Sequence, residues 1–283
     1  MKKYVSLCSL LMLLLAAMPA LAQPKVAATY GNGSTQFTLA TGSPGELGLL
    51  KELAMVFTDQ HQATMHWVKA GSGKSLALLK AKNVDVVMVH APSAEKTAMA
   101  EGWAIKRSLL GSNEFYIVGP AADPAGLSKA SSAANAYARI AKAQSKFFSR
   151  GDNSGTHKKE LALWKMADVT PQGDWYLVTG DFMMATLKRA DHEQGYFMTD
   201  SSTWVAGRAD LQNLKILFRG DKFIVNTYHA LCQPAGATPG ADIAAQFIDF
   251  VASEEGQQII RSYGKQQYSE GLYNDAVYAS QFE

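Results

Sequence analysis

The residues best suited to bind a ligand lie in the segment 149–160, called the main segment below, which reads SRGDNSGTHKKE. Small residues, hydroxyl groups and Arg150 precede a predicted helix, where unpaired backbone N–H groups and the positive end of the helix dipole coincide. These groups favour a bound anion. The arginine adds a permanent charge and a planar fork of donors that suits a tetrahedral oxyanion. The segment is therefore predicted to bind an oxyanion.

Two further turns carry hydroxyl groups in front of predicted helices, at 41–43 (TGS) and 71–73 (GSG). If parallel strands lead into these turns, all three open at the carboxyl ends of the strands, where α/β folds bind ligands. A single such turn usually does no more than cap a helix. Together with the arginine, the three turns are predicted to converge on one anion, with the ligand-binding residues Thr41, Ser43, Ser72, Ser149, Arg150, Ser154 and Thr156.

The elements that position these turns follow an α/β pattern. Helical patterns separate short apolar runs, which predicts largely parallel sheets with helices on both faces. The predicted strands are 36–40, 64–68, 84–90, 115–118, 146–148, 196–198, 214–218 and 222–231.

Helix signals are strongest around the first two turns. Ser43 is predicted as an N-cap with Pro44 after it and Glu46 completing a capping box. The apolar face of this first helix is predicted to comprise Leu47, Leu50, Leu53, Ala54 and Phe57. The second helix is predicted to bury Leu76, Ala77 and Leu79. On the helix that follows the main segment, Leu161 and Trp164 are predicted to pack in the core.

The first 22 residues read as a secretory signal peptide. Lys2 and Lys3 precede an apolar stretch, and Ala20-Leu21-Ala22 is a small-x-small cleavage site. A membrane anchor is the alternative, but the apolar run is short for a span. Cleavage leaves 261 residues, enough for two medium domains. Export is therefore expected to release a soluble protein.

Charge and cysteine content exclude several functions. The full chain carries a net charge of +2, and removal of the two lysines of the leader brings it near zero, so no global field attracts nucleic acid or anionic lipid. Only Cys232 remains after cleavage, which excludes an internal disulfide, and its apolar surroundings predict burial. The histidines show no metal-ligand spacing. No cofactor and no protein-bound metal are predicted.

The main segment, together with VDVVMVHAPSAEK, EFYIVGPAADPAG, GDWYLVTG and TLKRADHEQGYFMTD, resembles the periplasmic tungstate-binding proteins of ABC importers. The resemblance covers essentially the whole mature chain. It implies a two-lobed type II periplasmic binding protein in which two crossing strands, at 114–119 and 222–231, form the hinge. Residues 23–119 and 222–283 would form lobe I and residues 120–221 lobe II. Arg150 and Thr156 match the anion-binding arginine and threonine of the family.

The resemblance also implies the partners. They are an oxyanion, most simply tungstate or molybdate, and the membrane permease of an importer, for a monomeric receptor in the periplasm. The first loop departs from the family pattern, since only Thr41 and Ser43 remain of a longer run of hydroxyls, and Ser201 occupies the position of a family arginine.

Two alternatives stay open at the level of sequence. Phosphate retains a proton near neutral pH and requires a carboxylate acceptor, for which Asp152 and Glu46 are the candidates, although Asp152 is also suited to orient the helix start. A hydrolase or transferase with the same anion turns is the second alternative. It lacks a GxSxG, an HExxH and a P-loop lysine, so a non-catalytic receptor is favoured.

Overall fold

Eleven strands form one continuous mixed sheet in the computed structural model, which describes residues 24–283. The predicted signal peptide, 1–22, lies outside the described residues. The strands are β1 Val26–Gly31, β2 Thr35–Thr41, β3 Ala63–Lys69, β4 Val86–Val89, β5 Ile105–Pro120, β6 Phe147–Ser149, β7 Tyr176–Val178, β8 Tyr196–Asp200, β9 Leu214–Phe218, β10 Val225–Cys232 and β11 Asn274–Asp275.

Twelve helices of the described chain connect and cover these strands. They are α1 Ser43–Glu46, α2 Leu49–His61, α3 Ser72–Lys80, α4 Pro92–Ala100, α5 Ala133–Ala143, α6 Gly155–Met166, α7 Met183–His192, α8 Ser201–Gly207, α9 Ala241–Ala252, α10 Glu254–Ser262, α11 Lys265–Tyr268 and α12 Ala276–Ala279. None of the helices within residues 24–283 is long and apolar enough to cross a membrane.

The sheet runs in the order β1-β3-β2-β4-β10-β5-β8-β6-β7. Strand β2 pairs in parallel with β3 and β4, and β6 pairs in parallel with β7 and β8. The α/β class is confirmed, but the sheet is mixed rather than mostly parallel. The reason is that β5 and β10 run antiparallel to every strand they pair with, including each other, and that β1 runs antiparallel to β3.

Strand β5 joins the two halves of the sheet. Its first part pairs with β10, from Ile105 opposite Cys232 to Glu114 opposite Val225. Its last part, from Phe115 onward, pairs with β8 and β9. The predicted second crossing strand begins later than expected, because residues 222–224 form a 3-10 turn ahead of β10.

Separate hydrophobic clusters lie on the two sides of this crossing. One side holds Phe37, Leu53, Phe57, Phe247 and other residues from β2, α2 and α9, next to a smaller cluster around Leu79 and Val87. The other side holds an aromatic cluster of Tyr137, Phe147, Trp164 and Phe197. Two separate cores on either side of crossing strands are the architecture of a two-lobed molecule. The boundaries at 120 and 221 stay a prediction.

Two helix predictions need correction. The first helix is interrupted at Gly48, which has φ 92°, so α1 and α2 are separate, and Glu46 pairs with Lys69 at 2.6 Å instead of closing a capping box. The apolar residues predicted for this face are buried in α2, whereas Leu47 is only partly buried.

On the later helices, Ala77 and Leu161 are exposed, against expectation. Their partners in the predicted pattern, Leu76, Leu79 and Trp164, are buried. Cys232 is buried as predicted.

Candidate functional site

A small enclosed pocket lies where the three predicted turns meet. The space between the protein atoms there is about 290 Å³, a volume that includes open solvent at the mouth of the pocket. The first lobe contributes Thr41, Gly42, Ser43, Pro44, Gly71, Ser72, Met88, His90 and Tyr228, and the second contributes Arg150, Ser154 and Phe182. Most of the lining residues lie at or just after the carboxyl ends of β2, β3, β4 and β6, which is the edge predicted from the parallel pairing. Tyr228 lies within β10, and Phe182 directly precedes α7.

Arg150 is almost completely buried in the pocket wall, at 3% exposure. Its Nη2 pairs with Asp152 Oδ2 at 2.5 Å, and its Nε donates to the Asp181 carbonyl at 3.3 Å. The guanidinium carbon lies 5.4 Å from the ring centre of Phe182. Asp152 also accepts from the Ser154 amide at 3.1 Å. These contacts fix the guanidinium, so a bound anion would meet a pre-oriented charge.

Ser72 and Ser154 retain hydroxyl hydrogens that can serve a ligand. Ser72 Oγ accepts from the His90 amide at 3.1 Å, and Ser154 Oγ accepts from the His157 amide at 3.3 Å. A hydroxyl that accepts one hydrogen bond keeps its own hydrogen for donation. Both serines line the pocket, from opposite lobes.

The two hydroxyls of the first turn are already engaged. Thr41 Oγ1 donates to the Met88 carbonyl at 2.8 Å, so its hydrogen is committed within the protein. Ser43 Oγ lies 3.5 Å from Asp200 Oδ2, to which it donates across the two lobes. Ser43 does not cap its helix, since Gly42 is the N-cap and makes no side-chain bond. These two residues line the pocket but are poorer donors than Ser72 and Ser154.

Ser149 and Thr156 are not among the residues that line the pocket, and their part in binding stays a prediction. Both are buried, at 0% and 1% exposure. Ser149 Oγ donates to Glu160 Oε2 at 2.8 Å, so its hydroxyl faces helix α6. Thr156 Oγ1 has no hydrogen-bond partner among the described residues.

Four lining residues were not predicted from the sequence: Met88, His90, Phe182 and Tyr228. His90 directly follows the buried apolar run of β4, and a polar residue at that position is a usable signal. Phe182 precedes α7 without any local signal, because its place depends on Arg150 and Lys69 above its ring.

The pocket lining contains no carboxylate. Both predicted candidates are held in ion pairs, Glu46 with Lys69 and Asp152 with Arg150 of the pocket lining. A further acid beside the lining is Asp200, which accepts from the Thr203 amide at 2.7 Å and from Thr203 Oγ1 at 3.0 Å. Burial raises the pKa of Asp200 against the effect of these donors. Within residues 24–283, no cluster of acidic, histidine or cysteine side chains is arranged to hold a metal ion.

His90 is neutral in this setting. Burial is the largest cause that lowers the pKa of its imidazole, to about 3, and the positive charge of Arg150 acts in the same direction. His157 has a local role, since its Nδ1 accepts from the Asn153 amide at 3.0 Å at the start of α6. Neither histidine carries a charge to the pocket at neutral pH.

The fold and this inter-lobe pocket define a class of protein, the periplasmic binding proteins. A family model described as a PBP superfamily domain matches residues 26–255. The chain therefore belongs to the PBP superfamily.

Individual relatives are closer still. The tungstate-binding protein TupA of Peptoclostridium acidaminophilum is 34% identical, and the match covers 96% of this chain and 98% of the relative. The crystal structure of the tungstate ABC transporter from Geobacter sulfurreducens is 37% identical with a TM-score of 0.73, over 82% of this chain and 100% of that chain. The tungstate-binding protein TupA from Desulfovibrio alaskensis is 35% identical with a TM-score of 0.70, over 86% and 99% of the two chains. The resemblance noted in the sequence is thus confirmed.

Proposed function

We propose that this protein captures a tetrahedral oxyanion, tungstate or molybdate, and delivers it to an ABC importer. The observation that carries the proposal is the enclosed pocket between two lobes, with one buried arginine, two serine hydroxyls free to donate and no carboxylate in its lining. Such a donor-only pocket suits an anion that has lost all its protons.

Arg150, Ser72 and Ser154 are proposed as the principal side-chain ligands. The first turns of α3 and α6 add backbone N–H groups and the positive ends of two helix dipoles. Thr41 and Ser43 are proposed to form part of the pocket wall. Ser149, which precedes Arg150 in the chain, is proposed to help position it through its hydrogen bond to Glu160. Thr156 is kept as a candidate ligand because its buried hydroxyl lacks a partner within the described chain.

Tungstate and molybdate are favoured over phosphate by the donor set and by the relatives. Phosphate retains a proton near neutral pH, and this proton needs an acceptor that the lining does not supply. The relatives described above include proteins named for tungstate. If the donors of the pocket are spaced for tungstate or molybdate, the smaller sulfate leaves some of them unpaired. Each unpaired buried donor costs about 1–3 kcal/mol.

The proposed setting is the periplasm of an importing cell. Residues 1–22 would direct export, and the closed, loaded form would dock on the membrane permease with lobe I at 23–119 and 222–283 and lobe II at 120–221. The receptor would act as a monomer and without catalysis. Binding of the ion by both lobes would drive closure, because the open form offers only half of the contacts.

A ligand panel tests the proposal on the purified mature chain. Titration calorimetry and thermal melting are compared for tungstate, molybdate, sulfate and phosphate, with turnover of a generic phosphate ester measured alongside. Stoichiometric binding of tungstate or molybdate with a raised melting temperature, and no turnover, is expected. A response to phosphate alone would contradict the proposed ligand. Sustained release of product would contradict the receptor function and indicate an enzyme.

A further inference from the structure

Two buried asparagines connect the hinge with the pocket. Asn113 of β5 and Asn226 of β10 are direct partners in the antiparallel pairing of the crossing strands, and each is 2% exposed. Their amides bond to each other, with Asn226 Nδ2 donating to Asn113 Oδ1 at 2.8 Å. Polar side chains at such a position need complete hydrogen bonding to be tolerated.

The hydrogen bonds through this pair have a single direction. The Leu272 carbonyl can only accept, so Ser202 Oγ must donate to it, at 2.7 Å. Ser202 Oγ therefore accepts from Asn113 Nδ2, also at 2.7 Å, which leaves Asn113 Oδ1 to accept from Asn226. The Asn226 amide must then present its Oδ1 to His90 Nδ1, 2.8 Å away. The proton of the imidazole is consequently on Nδ1.

We propose that Asn113 and Asn226 are positioning residues for anion binding, which fix the ring plane and the tautomer of His90 so that it lines the pocket as a neutral wall. Arg150 then supplies the positive charge of the pocket lining. The proposal rests on the function proposed above. It adds a reason why affinity is independent of pH. A receptor whose affinity does not follow the protonation of a histidine binds its ion equally well over the pH range of its surroundings.

Burial, more than any other cause, keeps the His90 ring neutral, while its hydrogen bond to Asn226 by itself favours protonation and thus raises the pKa of the imidazole. Arg150 and Lys159 oppose protonation of the ring, and Asp152 favours it. The ring centre lies 4.9 Å from that of Tyr228 and 6.2 Å from that of Phe115, so aromatic packing holds the plane that the amide bond selects. Burial reinforces the effect of the two cations, so the ring has no charge at physiological pH.

The substitution Asn226→Asp tests the proposal with almost no change of shape. It also replaces the donor that faces Asn113 Oδ1 with an acceptor, so a thermal melt of the variant checks that the fold is retained. A carboxylate beside Nδ1 stabilises the imidazolium, so His90 is expected to titrate between about pH 6 and pH 8 in this variant. Tungstate affinity of the variant should then fall about tenfold over that range, because the compensating positive charge is lost as pH rises. Wild-type affinity should change by less than about twofold over the same range. A wild-type affinity that follows a histidine titration would overturn the proposal.

A matched double variant identifies the titrating group. Asn226→Asp combined with His90→Gln keeps the new carboxylate and removes the imidazole. Its tungstate affinity should be independent of pH over the same range. If the double variant keeps the pH dependence of the single variant, the carboxylate itself titrates and His90 does not have the proposed role.

The tautomer is measured directly on the ligand-free wild type by nitrogen-15 NMR of the His90 ring. A protonated Nδ1 and an unprotonated Nε2 are expected throughout the range, and the opposite tautomer or an imidazolium near pH 6 would contradict the proposal. This readout needs no ligand. If no oxyanion binds at all, the proposed function fails while the hydrogen-bond chain can still be verified, so the two failures are distinguishable.

Discussion

At the scale of residues, partners decide which hydroxyl groups can serve an anion. Thr41 and Ser72 have similar chemistry and line the same pocket. The Thr41 hydroxyl donates its hydrogen bond to the Met88 carbonyl. The Ser72 hydroxyl accepts from the His90 amide, so its own hydrogen is still available to a ligand. Donor capacity is therefore a property of the environment rather than of the residue type.

Replacement of the buried arginine should weaken binding strongly. Arg150→Ala removes a charge-assisted contact of about 1.5–3 kcal/mol and leaves the negative charge of Asp152 without its cation, so tungstate affinity should fall by at least about tenfold. Calorimetry measures the loss. The exposed Arg189→Ala in the same lobe is the matched control and should bind normally. Unchanged affinity of the Arg150 variant would remove this residue from the site.

Thr156→Val tests the hydroxyl without a partner. The isosteric change removes a buried polar atom that makes no hydrogen bond within the described chain, so the ligand-free protein should be at least as stable as the wild type in a thermal melt. A weakened tungstate affinity, measured on the same sample, would assign the hydroxyl to the ion. Equal affinity would assign it to the helix interior.

At the scale of elements, one buried carboxyl of helix α6 positions the turn at 150–154, which connects β6 to this helix. Glu160 accepts from Ser149 Oγ at 2.8 Å, Tyr176 Oη at 2.7 Å and Trp164 Nε1 at 3.2 Å. Ser149 ends β6 and precedes Arg150, so this carboxyl ties the strand to the helix directly behind the arginine. Burial raises the pKa of Glu160 to about 7 despite the three donors.

This pKa makes stability depend on pH. The folded state holds the proton of Glu160 more tightly than the unfolded state, whose pKa is 4.5, so the group stabilises the fold below that value. The contribution is lost as pH rises towards about 7, at up to about 1.4 kcal/mol per pH unit. Denaturant unfolding of wild type and Glu160→Gln over this interval should show the wild type losing stability relative to the variant. Parallel curves would show that Glu160 does not titrate there.

At the scale of the whole molecule, a few contacts across the lobes surround the pocket. Lys69 of the first lobe places its Nζ 4.2 Å from the ring centre of Phe182, which also faces Arg150. Ser43 and Asp200 form a second link on the other side of the first turn. Contacts of this kind join the two lobes around the pocket, so they would stabilise the closed form of the proposed receptor.

The lysine contact should affect release more than capture. Lys69→Gln removes a cation–π contact worth about 0.5–1 kcal/mol between the lobes, together with the ion pair to Glu46 within the first lobe. Because only the first contact joins the lobes, the dissociation rate of tungstate should rise about two- to fivefold with little change in association. Stopped-flow kinetics measure both rates. The exposed Lys74→Gln, beside the same turn, serves as the control for loss of charge. An effect confined to association would indicate electrostatic steering instead.

The local pattern of the chain by itself determined the alternation of strands and helices, the three turns and the arginine, because periodicity, caps and glycines act over a few residues. Tertiary structure alone decided the rest. The mixed pairing of β5 and β10 and the position of Phe182 depend on partners far along the chain. The same is true of the Thr41 hydroxyl, which donates to a carbonyl 47 residues away. A side chain's direction and its free hydrogens are set by such distant neighbours, and no local signal encodes them.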